Sequence, residues 1–96
     1  MALQMDFEEV KAQGAAIASR KSDVEELQSW LNGVVNDQLP NIWTGSGYEG
    51  YAQRVEDMRP SFEAMINLIE EIGNGVVANA EQYQAFDEAA GTANKG

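Results

Sequence analysis

A chain of 96 residues makes one small domain, and six basic against sixteen acidic side chains leave it at a formal net charge of −10. That surface repels phosphate backbones and anionic headgroups, which argues against nucleic acid and membranes as partners. Cysteine and histidine are both absent, so thiolate or imidazole metal sites and the usual general base are missing, and no enzyme, cofactor, metal or small-molecule substrate is expected.

The opening, MALQMDFEEVKAQ, has no basic region followed by an apolar run. Neither a secretory leader nor a membrane span is expected from it, and composition alone points to the cytoplasm. Asp6 with Glu9 forms a capping box that starts the first helix near Phe7. Phe7, Val10, Gly14 and Ile17 give one apolar stretch and Val24, Leu27, Leu31 and Val34 another. Between them ASRKSD sets charge where the stripe should continue. A kink or local loss of packing is expected there, and Ser22 with Glu25 offers a cap for a new helix. Helix one, about 6–38, ends before Pro40, because the residue preceding a proline disfavours helical geometry.

The bend spans about 40–46 and contains Trp43 and Gly45. Gly45, Gly47 and Gly50 fit G-x-G-x-x-G, yet a dinucleotide turn needs a strand before it and a βαβ unit around it. The preceding VVNDQLPNIW has no strand alternation, so the glycines belong to the bend. Ser46 with Glu49 forms a second capping box, and Gly47 and Gly50 then leave room in the first turn for another chain.

Helix two is expected over about 47–88. Tyr48, Tyr51, Val55, Met58, Phe62 and Met65 begin a series at alternating spacings of three and four, and Ile69, Ile72, Val76, Asn79, Tyr83 and Phe86 continue it. Asn79 alone breaks its apolar rule. This is a heptad stripe, and a second row (Ile66, Leu68, Val77, Ala80) widens it beyond a two-stranded seam. Pro60 costs about 3 kcal/mol inside a helix, and Gly73 and Gly75 roughly 1 kcal/mol each. The phase runs unchanged through them, which favours a bent but continuous helix. Separate helices meeting at Pro60 or at Gly-Asn-Gly are the alternative. The tail, residues 91–96, is small and polar and is expected to be flexible.

The fold class read from this pattern is all-α, an antiparallel two-helix hairpin forming one domain over 1–96. Helices of ~50 and ~60 Å expose an apolar face along their length, so the hairpin is expected to dimerise into a four-helix bundle. Acidic pairs such as Glu70-Glu71 lack the alternating ligand loop of a calcium site and read as a solvated face.

Two helices joined at Trp43-Thr44-Gly45, with Tyr83-Gln84-Ala85-Phe86-Asp87 matching Tyr-x-x-x-Asp/Glu near the C-terminus, give the chain a likeness to a known family. It resembles the WXG family of small type VII secretion substrates, the early-secreted-antigen-like proteins of Gram-positive and actinobacterial species. The resemblance implies export as a folded dimer by an ATPase-driven machine, with Tyr83 and Asp87 as secretion-signal residues. Trp43 and Gly45 of one subunit would complete the recognition surface beside the partner's C-terminal helix end. It implies a partner that is a second copy, or a paired WXG-type protein in a heterodimer. It also implies secretion without a cleavable leader after synthesis in the cytoplasm, which replaces the cytoplasmic expectation. From composition and spacing alone Tyr83 is better accounted for as stripe packing, and it is the resemblance that makes it a signal residue; an intracellular helical-bundle adaptor is the alternative function.

Overall fold

The computed structural model describes the backbone of residues 4–95 and the side chains of residues 4–88. All regular structure among them is helical: α1 Phe7–Ser19, α2 Lys21–Gly33, a π-helical turn Val34–Gln38, a 3-10 turn Leu39–Asn41, α3 Ser46–Asp57 and α4 Arg59–Lys95. Two compact units divide the chain: Met1–Arg20 with Ile69–Gly96, and Lys21–Leu68.

In the first unit Asp6 caps α1, its carboxylate accepting from the Glu9 N–H at 3.1 Å. Glu8 and Glu9 add negative charge to the first turn, where the helix dipole favours it. The expected disturbance in ASRKSD is a one-residue interruption at Arg20, whose backbone stays in the helical region and is followed at once by α2. Arg20 is the C-cap of α1, its N–H bonded to Ile17 O at 3.1 Å, and Ser19 Oγ donates back to Ala16 O at 2.8 Å. Against α1 runs the later part of α4, antiparallel. Gly14 is buried, Gly73 is buried, and Ala80 is fully enclosed.

The glycines expected to weaken this helix do not interrupt it. A Cβ at Gly14 would stand 2.8 Å from Gly73 O, and one at Gly73 would stand 2.5 Å from Gly14 O and strike the Ala18 backbone nitrogen. Gly73 is therefore the place where the two backbones touch, and the packing gained there offsets its poor helix propensity. Gly75 meets nothing within 4 Å, and the structure gives no reason for it. Nearer the ends of both helices, Lys11 Nζ donates to Gln84 Oε1 at 3.0 Å and pairs with Glu8 at 2.9 Å. Of the expected tail, residues 91–95 lie in α4, in line with the good helix propensity of Ala89, Ala90 and Ala93. Gly96 lies outside the described residues.

The second unit is a local hairpin. Its α2 passes into the π turn, which seats Val35 in the core with Phe62. Pro40 follows inside the 3-10 turn, so the helical path tightens and changes type before it ends, rather than stopping short of the proline. Helix two begins at Ser46 but is divided at Met58, whose N–H is shared between Arg54 O at 3.1 Å and Val55 O at 3.2 Å. Of the two readings of Pro60, the structure takes the separated one. Pro60 lands in the first turn of α4, where a missing N–H breaks no helical bond. Arg59 braces the joint by pairing with Glu56 at 2.8 Å.

The heptad stripe splits into two rows with different fates. Tyr48 and Val55 are half-buried and Phe62 buried within the second unit, as are Ile69 and Val76 (both half-buried) within the first. The other row faces solvent: Tyr51, Met58 and Met65 in the second unit, Ile72, Asn79 and Phe86 in the first. Ile66, Val77 and Ala80 of the widening row turn inward, whereas Leu68 is exposed.

Candidate interaction site

The bend is built around Trp43, which is 40% exposed. Its backbone N–H donates to Leu39 O at 2.8 Å, tying it to the start of the 3-10 turn. Tyr48 meets its ring edge-on at 6.0 Å and 82°, and Tyr51 lies tilted at 5.9 Å. Arg54 stacks its guanidinium over Tyr51, 5.3 Å from the ring centre. Behind this cluster Tyr48 Oη donates to the carbonyl of Val35, so the hydroxyl fastens the start of α3 to the π turn.

Gly45 carries φ +124° and ψ −179°, a region closed to residues with a Cβ. It is also the N-cap of α3, and its carbonyl accepts from Glu49 N–H at 3.1 Å. The expected capping box of Ser46 with Glu49 is not formed: Ser46 is already helical, and no side chain caps the helix. The register shifts because Gly45 alone can make the reversal. Gly47 leaves space for the tryptophan, as a Cβ there would stand 3.1 Å from Trp43 Cζ2. Gly47 and Gly50 line a shallow cleft of about 200 Å³ with Ser46, Tyr51 and Arg54. Ile42, just before the tryptophan, is 81% exposed.

The other expected pair, Tyr83 and Asp87, lies on α4 in the first unit, one turn apart and both exposed, with Tyr83 at 46%. Trp43 and Gly45 belong to the second unit, so each pair is a local feature of its own unit. Tyr51 and Arg54 were legible only as a stripe residue and an unremarked cation. Their three-residue spacing on α3, following the tryptophan, is the signal that marks a stacked cluster. Among the described residues no group of three or more carboxylates is placed to hold a metal ion. No helix among them is long and apolar enough to cross a membrane.

Comparison with known proteins agrees with this geometry. A family model described as proteins of 100 residues with WXG matches residues 2–88. Protein YukE of Bacillus subtilis (strain 168) is 25% identical over 81 residues, covering 84% of this chain and 82% of the relative. The crystal structure of EsxA from Geobacillus thermodenitrificans superposes with a TM-score of 0.82 at 27% identity, over 96% of this chain and all of that one. The chain belongs to the WXG family of small helical type VII secretion substrates.

Proposed function

We propose that this protein leaves the cell through a type VII machine as a folded homodimer and acts by protein–protein contact rather than catalysis, as an export partner or adaptor for other substrates. Tyr83 and Asp87 form the signal read by the secretion ATPase, and the bend at Trp43 and Gly45 of the partner copy completes that surface. Export follows synthesis in the cytoplasm.

The observation that carries the reading is the exposed Tyr83 and Asp87 side by side on α4, with Phe86 between them 74% exposed. A ring and a carboxylate one turn apart on an unobstructed helix suit docking into a groove of another protein. Support for the dimer comes from apolar side chains left exposed in each unit, Tyr51, Met58 and Met65 in the second and Ile72 and Phe86 in the first, a kind of surface that takes a partner.

The test is the amount of protein in culture medium of the native host, for the wild type and for Tyr83→Ala with Asp87→Ala. Wild type outside and folded, dimeric variant retained inside is the expected result. Wild type that never leaves a cell with a working export machine would replace this reading with that of an intracellular adaptor.

A further inference from the structure

In the first unit, burial along the inward stripe of α4 thins out toward the helix end. Gly73 and Ala80 are buried and Val77 is half-buried. The next position on that stripe is Gln84, also half-buried, and every other residue from 81 to 88 is exposed. A terminal stretch with so little buried surface frays readily. The turn that carries Tyr83 and Asp87 lies within it, so its order depends on what Gln84 meets.

Gln84 meets Lys11. The Lys11 ammonium reaches over from α1 and donates to Gln84 Oε1 at 3.0 Å, joining positions 73 apart in the chain. Glu8, one turn earlier on α1, pairs with the same ammonium at 2.9 Å. The lysine side chain is 25% exposed, against 79% for that of Glu8. Lysine is seldom covered to this extent unless its charge is paired. An exposed ion pair within a helix adds little stability by itself, but this one aims the ammonium. The bond it leaves for Gln84 is charge-assisted, the stronger kind.

We infer that Lys11 is a positioning residue for the secretion signal, fixing the Gln84 turn of α4 against α1 and so setting the direction in which Tyr83 and Asp87 project. At 3.6 residues per turn, Tyr83 and Asp87 stand about 100° and 60° round the helix from Gln84, on the same side. With Gln84 held, both therefore leave the helix on one flank. A frayed turn would present them in many directions, and ordering it on docking would cost affinity. This inference rests on the reading of Tyr83 and Asp87 as the signal.

Lys11→Met keeps the carbon stem and removes the ammonium. In the full-length protein, amide exchange at 83–88 should quicken roughly tenfold, the worth of one charge-assisted bond. Exchange at 73–80 should hold, and the amount exported into the medium of the native host should fall. Gln84→Ala should reproduce these effects, and the double variant should add nothing to them. Lys11→Arg, which keeps a cationic donor, should behave as the wild type. Exchange that is unchanged at 83–88, or quickened evenly along the chain, overturns the positioning role. So does local quickening with undiminished export. Export that falls for Tyr83→Ala with Asp87→Ala but not for Lys11→Met overturns this inference alone. Export indifferent to both overturns the signal reading and the inference together.

Discussion

Gly14 and Gly73 place the backbones of α1 and α4 in direct contact, each carbonyl lying where the other residue's Cβ would be. Close approach of this kind lets Val76 and Val77 reach the facing helix. Gly73→Ala and Gly14→Ala should each destabilise the fold by about 1–3 kcal/mol through overpacking. Gly75→Ala, with open space around it, should stabilise by about 0.5–1 kcal/mol through helix propensity alone. Urea midpoints of the three variants check the contrast, and equal shifts at positions 73 and 75 would contradict it.

Removing the Tyr48 hydroxyl should loosen the bend. Tyr48→Phe loses the hydrogen bond to the Val35 carbonyl, worth about 0.5–1.5 kcal/mol. Amide exchange is expected to quicken in the π turn, 34–38, and at the start of α3. Uniform exchange across the chain would show that this bond holds nothing local.

At Gly45, φ is +124°. Gly45→Ala should cost about 1–3 kcal/mol of strain and alter the fluorescence of the packed Trp43. Ser46→Ala should be nearly silent, because the serine caps no backbone group of α3. A serine variant as damaging as the glycine one would restore the capping box to importance.

The two heptad rows predict different phenotypes. Phe62→Ala, on the inward row and buried, should cost about 3 kcal/mol or more in folding stability. Ile72→Glu, on the exposed row, should leave helicity intact and convert a dimer to monomer. Sedimentation equilibrium with circular dichroism separates the two. An Ile72→Glu protein that still dimerises would place the interface elsewhere.

Charge sets a last expectation. Two copies of a chain at −10 repel one another, and salt screens that repulsion within about a Debye length. Self-association should therefore strengthen from low to physiological salt. A dimer that weakens with salt would point to complementary charges across the interface instead.

Much of the fold was legible in the chain: the Asp6 cap, the charged interruption at ASRKSD, the glycine bend and the heptad period are local signals, and local signals survive translation into structure. What failed did so for want of a neighbour. Ser46 and Glu49 have capping-box spacing, but Gly45 takes the cap because the bend demands a positive φ there. Gly73 looks like a weak point until Ala18 and Gly14 are seen against it. The unbroken heptad phase favoured one bent but continuous helix, with a break at Pro60 or at Gly-Asn-Gly as the alternative. The structure breaks only at the first, where Met58 leaves the helix and the proline starts a new one. At the bend, Trp43 and Gly45 were visible as a motif, while the stacking of Tyr48, Tyr51 and Arg54 about the tryptophan was not.

By itself, then, the sequence determined that this protein is helical, where it turns, and that helix two carries apolar residues at coiled-coil spacing. It did not determine which row of that stripe the chain would use for itself. Tyr48-Val55-Phe62 and Tyr51-Met58-Met65 are comparably apolar and share one period. Only packing against residues distant in the chain turned the first row inward and left the second exposed. Hydrophobic periodicity records that a face will leave water, and tertiary structure decides what covers it.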